Sequence, residues 1–591
     1  MRRRLLAALG LLLLLAVAAS AWVGFRGLAA RDELQAARAS LSTARAALLD
    51  QQTDVARARM QDAGLRTARA RELTSDPVFR VAARLPLVGR SVRVARELPR
   101  TADVVARELL PEALAVAEQV DPAQLRAPDG TVAVARLQQA QPRLAALAVR
   151  TAELVAEVDE LPRARVLAPV ARGRDDLADQ LTELADATDA AAQSVALASP
   201  LLGADRPRRY FVLVQQTSES RGTGGLPGGF AILEARGGQL VVTAQGSNAD
   251  LRNGPVPVPP GVPADYVDLY EPQGAFAIWQ NVNLSPDLPV VARVVAARWK
   301  QQSGQDVDGV IALDAIALAD LLRGSGPIDL GDRAIAPEEL PDYLAIGQYR
   351  EFTALDRQGA RKEKLTTVAR AATARVTRGG GSTPDLLRGL VDAVRSGHLR
   401  MASDDPVLQP LLERAGVTGA LPRDDAPLAY PVVFNGSAGK LDYFLDRTVS
   451  YTAGPCTGLT RRSTIRVGLR NDAPGSGLPP YLTIFTTVNG QKQSTLNGVV
   501  LAVYGTRGAE FAGATLDGEP VSPIELRPGG PVLRQSTEAG LPRWHVFLDL
   551  PRGEDRTLEL TLDEPLVAGA PRVIEQPLAR PLRTTVDVPP C

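Results

Sequence analysis

The residues best suited to binding a ligand lie in Arg208–Phe230, which reads RRYFVLVQQTSESRGTGGLPGGF. An apolar stretch, Phe211–Val214, runs into a glycine-rich turn that carries one arginine, Arg221. Glycines let backbone amides approach a ligand closely, and a guanidinium presents paired donors to anionic oxygens. The pattern predicts a strand that leads into a phosphate site formed by Arg221 and the amides of Gly224 and Gly225. The alternative is a glycine-rich hairpin with a surface arginine.

The first residues predict a membrane segment. Arg2–Arg4 precede an uncharged run, Leu5–Phe25, and a helix needs about 20 apolar residues to cross the hydrocarbon layer. Because arginine-rich flanks stay in the cytoplasm, the chain from Arg26 onward is expected outside the membrane. We therefore expect a single-pass protein of the cell membrane, with a cytoplasmic N-terminus and an extracytoplasmic bulk. A cleaved signal peptide is the other interpretation, because residues 16–21 contain several alanines.

The composition argues against two common classes of function. Lys plus Arg and Asp plus Glu each number 67, so no basic excess favours nucleic acid as a partner. The two histidines, His398 and His545, are far apart, which leaves little from which to build a histidine-rich metal site or a Ser-His triad. Cys456 and Cys591 would form one disulfide outside the membrane or remain two free thiols.

Changes in composition along the chain predict four parts. After the anchor at 1–25, residues 26–200 are rich in Ala, Arg and Leu, which is typical of an extracytoplasmic helical bundle or stalk. Residues 205–416 alternate strand and helix patterns, as α/β domains do. Residues 425–591 show short β-branched runs between Gly, Pro and Asn turns, which predicts a β-sandwich. The expected fold class is multi-domain α+β.

The helical region contains a heptad pattern. The residues that recur every seven positions are Leu34, Leu41, Leu48 and Val55, and the alanines three positions after members of this series are Ala37, Ala44 and Ala58. The pattern predicts that this seam faces a partner helix. Because the seam is short and its second position is small, an intramolecular hairpin or bundle is favoured over a long coiled coil.

In the α/β region, individual elements can be predicted. Phe230–Glu234 and Gln239–Thr243 are expected to pair around a turn at Arg236–Gly238. Val310–Leu313 is expected to form a further strand, followed by a helix over Ala315–Leu322.

Four sequence blocks resemble a known family in their order and spacing. They read LPLVGR, RYFVLVQQTSESRGTGGLPGGFAIL, NVNLSPDLPVVARVVAARWKQQSGQDVDGVIALD and LLRGSGPIDL. They resemble the membrane-anchored bacterial family named domain of unknown function 4012, a name that carries no activity. The same order is distantly similar to the LytR-CpsA-Psr phosphotransferases, which move a glycopolymer from a polyprenyl-pyrophosphate carrier onto the cell wall and are anchored by one N-terminal helix.

The second resemblance implies roles for individual residues. The implied catalytic residues are Arg221, Arg350, Arg357 and Arg361, and the implied substrate-binding residues are Gly224, Gly225, Asp356 and Lys364. Within the later basic motif, Arg357, Arg361 and Lys364 are spaced i, i+4 and i+7, so they are expected to share one helix face. A solvent-exposed basic face is the alternative interpretation.

The resemblance also implies Mg²⁺, but one expected ligand is missing. Where the phosphotransferases have an aspartate after the turn arginine, this chain has Gly222, Thr223 and Gly224. Glu219 or Asp250 would have to supply the carboxylate. Phosphoryl transfer depends on positioning and charge neutralisation, so a clamp without the metal would bind a lipid phosphate and not transfer it.

Two functions remain open. In the first, the protein takes part in envelope glycopolymer assembly by binding a polyprenyl-(pyro)phosphate-linked substrate, and phosphotransferase activity is left open. In the second, it is a non-catalytic envelope scaffold that binds polymer or partner proteins, which the missing aspartate favours. Replacing Arg221 with Ala is expected to abolish lipid-phosphate binding and to change stability by less than about 0.5 kcal/mol, as for a surface residue.

Overall fold

The computed structural model describes residues 2–50, 52–86, 88–330, 333–353, 357–378, 380–483, 487–488, 491–492, 495–523 and 532–591. For residues 2–9, 11–13, 15, 49, 358, 487–488 and 491–492 it describes the backbone alone. The chain divides into two compact units, one comprising Met1–Asp121 and Ala135–Ala198 and the other Pro122–Val134 and Ser199–Cys591. The predicted multi-domain α+β class is confirmed by the helices and several sheets of these units.

The described part of the first unit is helical. Its helices are α1 (Arg2–Leu49), α2 (Thr53–Thr74), α3 (Pro77–Ala82), α4 (Gly89–Val104) and α5 (Leu110–Gln119), and, after the short α6 (Pro122–Leu125) of the second unit, α7 (Val134–Asp159) and α8 (Ala168–Leu201). A π-helical turn, Val105–Leu109, joins α4 to α5.

Helices α1 and α2 form an antiparallel hairpin. Arg26 Nε donates to Leu73 O at 2.9 Å, and Ser40 Oγ donates to Asp62 Oδ2 at 2.6 Å. The predicted period of seven is present, but the predicted face is wrong in part, because Leu48 is exposed, and so are Val55 and Ala58, which lie on α2.

Alanines form the contact between these two helices. The buried positions on α1 include Ala30, Ala37 and Ala44, and those on α2 include Ala56, Ala63 and Ala70. Small side chains at a seven-residue spacing let two helix backbones approach closely, which larger leucines at the same positions would prevent.

Among the described residues, no helix is both long and apolar enough to cross a membrane. Most side chains between residues 5 and 15, the first half of the predicted anchor, lie outside the described residues.

A five-stranded sheet forms the first part of the second unit. Its strands are β1 (Arg208–Arg221), β2 (Gly224–Arg236), β3 (Gln239–Ser247), β4 (Gly309–Asp314) and, after the two-residue pair β5 (Ile328–Asp329) and β6 (Ala334–Ile335), β7 (Leu399–Ala402). The order is β3-β2-β1-β4-β7, and only the β1–β4 pair is parallel. The strands predicted around residues 211–214, 230–234, 239–243 and 310–313 are confirmed.

Helices surround this sheet, and an aromatic core lies between them. The helices are α9 (Ala264–Tyr270), α10 (Leu288–Ser303), α11 (Ala315–Leu321), α12 (Leu340–Asp342), α13 (Gln348–Glu351), α14 (Gln358–Arg378), α15 (Thr383–Arg395) and α16 (Leu408–Arg414). The ring of Phe211 lies 5.6 Å from the rings of both Trp279 and Trp299, and all three side chains are buried. Alternating apolar residues of β1 thus anchor the sheet on α10.

Two sheets facing each other complete the second unit. The elements are β8 (Leu428–Asn435), β9 (Leu445–Ala453), β10 (Thr460–Asn471), α17 (Pro480–Thr483), β11 (Thr487–Val488), β12 (Gln491–Lys492), β13 (Asn497–Gly505), β14 (Glu510–Leu516), β15 (Glu519–Pro520), β16 (Arg534–Glu538), β17 (Leu541–Leu550), β18 (Asp555–Pro565), β19 (Arg572–Val573) and β20 (Leu582–Asp587). One sheet has the order β15-β14-β18-β10-β9-β20 and the other β16-β17-β13-β8-β19. Tyr451, Ile465 and Leu560 of the first sheet share a buried core with Leu501 and Trp544 of the second. This is a β-sandwich.

A disulfide joins Cys456 to Cys591, with the two Cα atoms 5.9 Å apart. The predicted pairing is therefore confirmed, and the free-thiol alternative is excluded. The bond closes the sandwich by tying the end of the chain to the loop between β9 and β10.

Candidate functional site

The β1–β2 hairpin closes in a two-residue turn, Gly222–Thr223, that projects beyond the five-stranded sheet. Strand β4 pairs with β1 only as far as Gln215, so the rest of β1 extends past it. Asn283 Nδ2 donates to the hydroxyl of Thr223 and to the carbonyl of Gly225, both at 2.8 Å. The Thr223 hydroxyl donates in turn to Gln215 Oε1 at 2.5 Å. This buried network holds the turn in place.

The glycines of the turn are packed against the protein's own backbone. A Cβ atom on Gly222 would lie 2.2 Å from the carbonyl oxygen of Leu284, and one on Gly225 would lie 2.3 Å from the carbonyl carbon of Gln216. Gly224 has a φ of +138°, which an L side chain rarely adopts. The space left by the missing side chains is therefore filled by protein.

The guanidinium of Arg221 is half-buried and bonded to carbonyl groups. Its Nε donates to Gln280 O at 3.1 Å, and its Nη1 donates to Ser220 O at 2.9 Å. Burial lowers the pKa of Arg221, and the carboxylates of Glu219 and Asp442 act in the opposite direction. Arg221 is therefore not the surface residue expected from the sequence.

Residues next to Arg221 on β1 bind the sandwich. Glu219 forms an ion pair with Lys440, and both side chains are nearly buried. Asp442 Oδ2 accepts hydrogen bonds from the backbone N of Ser220 at 2.8 Å and from its hydroxyl at 2.6 Å. We call Glu219, Ser220, Arg221, Lys440 and Asp442 the junction cluster, because they join the end of β1 to the sandwich.

Side-chain amides of the sandwich complete this junction. Gln576 Nε2 donates to Arg221 O at 2.7 Å and to Val433 O at 2.9 Å, and its Oε1 accepts from Val433 N at 2.8 Å. Asn497 Nδ2 donates to Asp442 Oδ1 at 2.8 Å. These two amides thus provide partners for the Arg221 carbonyl and for the Asp442 carboxylate, which the contact buries.

The later basic motif meets the junction cluster through Arg361. Its guanidinium is buried, lies 4.7 Å from the ring of Tyr349 and 5.2 Å from that of Tyr481, and donates through Nη1 to Gln348 Oε1 at 2.7 Å. The two tyrosine rings are stacked with centroids 5.3 Å apart, and Lys440 Nζ lies 5.8 Å from each. The structure therefore brings Arg361 close to Lys440, and stacking on aromatic faces stabilises both cations.

The other cations of this motif lie nearer to solvent. Arg350 and Arg357 are exposed, and Arg357 lies 5.3 Å from the ring of Phe352. Lys364 Nζ lies 2.5 Å from Glu351 Oε1 and 6.0 Å from the Phe352 ring. Lys364 and Arg357 thus share one face over Phe352, while Arg361 is directed into the junction.

The acidic residues expected to bind Mg²⁺ are engaged elsewhere. The Glu219 carboxylate is bound by Lys440, and Asp250 Oδ2 accepts from Ser247 N at 2.8 Å and from its hydroxyl at 3.0 Å. Asp356 lies outside the described residues. The described residues contain no group of three or more His, Cys, Asp or Glu side chains placed to hold a metal ion. Among the described residues, Glu219 is therefore not free to bind Mg²⁺ as the resemblance implies.

A second buried polar group lies near the junction, around Glu538. Its carboxylate accepts from the hydroxyl of Tyr270 at 2.7 Å, from that of Ser285 at 2.6 Å, and from that of Tyr504. Burial and the nearby Glu538 raise the pKa of Asp287 to about 7. Asp287 is therefore a candidate for proton binding near neutral pH.

One acid-histidine pair is present, although the sequence gives little sign of it. His398 Nδ1 lies 2.5 Å from Asp314 Oδ2, and the other oxygen of Asp314 accepts from Ile316 N at 2.9 Å and Ala317 N at 3.1 Å. Both side chains are nearly buried. The pair ties β7 to the first turn of α11.

Sequence reasoning missed most of the sandwich side of the junction. Asn435 and Lys440 lie in the block VVFNGSAGKLDYFLD, which has the pattern of an ordinary strand and turn. Asp442 lies in that block without distinguishing features, and Gln576 lies in a proline-containing segment that has none.

A family model described as Protein of unknown function (DUF4012) matches residues 205–349. The matched segment includes β1, the glycine turn and Tyr349, so the expected resemblance is confirmed over this part of the chain. No curated protein and no solved structure matches the chain. The family description states no activity, so the function has to be argued from the site.

Proposed function

We propose that this protein is a non-catalytic binding and scaffold component of the cell envelope that takes part in glycopolymer assembly. The proposal rests on one observation: the residues predicted to bind a diphosphate contact other parts of the protein. Gly222 packs on Leu284, the Arg221 guanidinium is bonded to backbone carbonyls, and Glu219 is paired with Lys440. Groups that a transferase would direct at a diphosphate are instead committed to joining a sheet to a sandwich.

The proposal includes attachment to the membrane. Leu14, Val17, Phe25 and Leu28 of α1 are each more than half exposed, up to 72% for Phe25. Apolar side chains in such a row are unfavourable in water and favourable in a bilayer or its interface. We place the N-terminus in the cytoplasm, because Arg2–Arg4 precede this run, and the rest of the chain outside, where the Cys456–Cys591 disulfide is stable.

Lipid-phosphate binding is a second candidate function. It is supported by the exposure of Arg350 and Arg357, which the distant LytR-CpsA-Psr resemblance assigns to the pyrophosphate. Guanidinium groups at a surface bind phosphate oxygens without rearranging a buried network. This candidate involves binding alone, because the Glu219 carboxylate is paired with Lys440.

The first proposal is tested with the full-length protein in detergent. For transfer, the purified protein is given a polyprenyl-pyrophosphate-linked oligosaccharide, a cell-wall acceptor and Mg²⁺. For binding, the protein is chemically cross-linked in intact cells, and the polymer bound to it is recovered. We expect recovery of glycopolymer and no transfer above background. Transfer that is lost in Arg221→Lys would overturn the non-catalytic assignment.

The second candidate is tested by mass spectrometry of lipids that co-purify with the protein. We expect polyprenyl phosphates in the wild type and their loss in Arg350→Ala/Arg357→Ala. The matched control is Arg462→Ala, which removes an exposed arginine from the sandwich. Equal amounts of co-purified lipid in all three proteins would show that Arg350 and Arg357 do not bind the lipid phosphate.

A further inference from the structure

The outer face of the six-stranded sheet carries a cleft of about 490 Å³. Gly468 of β10 lies at its centre, opposite Thr448 of β9 and Thr557 of β18. A Cβ atom on Gly468 would lie 2.6 Å from Thr448 Oγ1. Because Gly468 has no side chain, the surface is lowered between the longer side chains on either side.

Ion-paired arginines form the rims of this cleft. On one side, Arg470 Nη1 lies 3.0 Å from Asp555 Oδ2, and Arg583 Nη2 of β20 lies 2.6 Å from Asp446 Oδ2. On the other side, Arg466 lies two residues from Gly468 on the same strand and faces the same way. The rims thus present donors and acceptors alternately.

Hydroxyl groups line the floor. Thr448, Ser450, Thr557 and Thr585 all border the cleft. Within the described part of the chain, the hydroxyls of Thr448 and Thr557 make no hydrogen bond to another protein group. They are available to a ligand.

We propose that this cleft binds a neutral glycan chain. A sugar hydroxyl both donates and accepts, so it is complementary to a floor of hydroxyls between guanidinium and carboxylate groups. A polyanion fits less well, because Asp446 and Asp555 are in the lining and each pairs with an arginine. An apolar partner would leave the hydroxyl groups of the floor without hydrogen bonds.

The position of the cleft favours a polymer over a small molecule. Strand β20 is the edge strand of its sheet, and residues 583–587 are exposed. A chain can therefore leave the cleft over this edge. The volume lies within the range of about 300–1,000 Å³ that is typical of ligand sites.

This inference deepens the proposed function and rests on it only for the biological source of the glycan. The cleft belongs to the outer sheet face, whereas the junction cluster is formed by the end of β1. If substitutions in the cleft leave glycan binding unchanged, the cleft is not the glycan site, and the scaffold proposal is unaffected. If the cleft variants lose glycan binding and the protein also shows transfer activity, the non-catalytic proposal is wrong, and the cleft remains the glycan site.

The test is affinity electrophoresis of the full-length protein in gels that contain dextran, arabinogalactan or heparin. We expect retardation by at least one of the two neutral glycans. In Arg466→Ala/Arg470→Ala the affinity should fall by about tenfold or more, and in Thr448→Val by about threefold. Thermal unfolding of each variant verifies that the fold is intact.

The matched control is Arg462→Ala. Arg462 lies on the same face of β10, pairs with Asp563 of β18 at 2.9 Å, and is 66% exposed compared with 61% for Arg466, but it does not line the cleft. Its affinity should equal that of the wild type. Binding to heparin alone, binding to no glycan, or an equal loss in Arg462→Ala would overturn the proposal.

Discussion

The β1–β2 turn and the outer face of the sandwich both contain glycines whose missing side chains leave space, and the space is used in opposite ways. At Gly222 the carbonyl of Leu284 fills it, whereas at Gly468 it opens a cleft toward solvent. A glycine-rich motif is therefore equally compatible with ligand binding and with close packing of backbone. What occupies the space decides between them.

The largest expected effect is that of Gly222→Ala. The new Cβ would lie 2.2 Å from Leu284 O, a backbone atom that cannot rotate away, so we expect a loss of about 3 kcal/mol or more in stability. The measurement is differential scanning calorimetry of the full-length protein. The control is Gly228→Ala on the same hairpin, where the nearest atom is 3.7 Å away. Equal transition temperatures for both variants would contradict the packing role of the turn.

A second prediction contrasts the buried ion pair of the junction with an exposed pair. Lys440→Met leaves the Glu219 carboxylate buried without its cation, and we expect a cost of about 3 kcal/mol. The double variant with Glu219→Gln should recover part of this loss. Arg462→Ala, which breaks an exposed pair, should cost less than about 1 kcal/mol. Similar costs for the two single variants in urea unfolding would show that the junction pair does not contribute.

A third prediction concerns pH. The pKa of Asp287 is raised to about 7 by burial, so the folded protein retains a proton that the unfolded chain releases near pH 4. Stability is therefore expected to fall as pH rises from about 4 to 7, and Asp287→Asn should be more stable than the wild type at pH 8 by about 2 kcal/mol. At pH 4 the two proteins should differ little. A difference that does not vary with pH would exclude Asp287 as the responsible group.

The smallest expected effect on stability is that of Gly468→Ala, which tests the comparison directly. The one close contact of its Cβ would be with Thr448 Oγ1, the end of a side chain that can rotate, so we expect a change in stability below about 1 kcal/mol. The methyl group would nevertheless raise the floor of the cleft and weaken binding to neutral glycans in affinity electrophoresis. Destabilisation as large as that of Gly222→Ala would mean that the outer face is packed as tightly as the turn.

The parts of the fold that the sequence predicts are those set by local patterns. The buried Phe211 and Leu213 alternate with the more exposed Val212 and Val214 along β1, and turn residues bound β2 and β3, so these strands could be predicted. The seam predicted on α1 contained both leucines and alanines, and close packing buried its alanines, Ala37 and Ala44, while Leu48 is exposed. Periodicity gives the spacing of a seam, and side-chain volume decides which face it uses.

The site could not be predicted in the same way, because its partners are distant in sequence. Glu219 and Lys440 are separated by 221 residues, and no local pattern specifies that they meet. The anion-site interpretation of Arg221 depended on the turn being open. The backbone at Leu284–Ser285 closes it. These residues lie in one of the four blocks that carry the resemblance, but no local pattern in that block specifies that it packs on the turn.

The central claim is that Arg221 holds the turn in place and does not bind a phosphate. The most direct test is Arg221→Lys, which retains the charge and loses the planar fork. The full-length wild type and variant are titrated with farnesyl pyrophosphate by calorimetry, and their melting temperatures are measured in parallel. We predict that the variant has a lower melting temperature than the wild type and the same affinity for farnesyl pyrophosphate. The claim would be contradicted if the variant melted at the same temperature as the wild type and its affinity for farnesyl pyrophosphate fell by about tenfold or more.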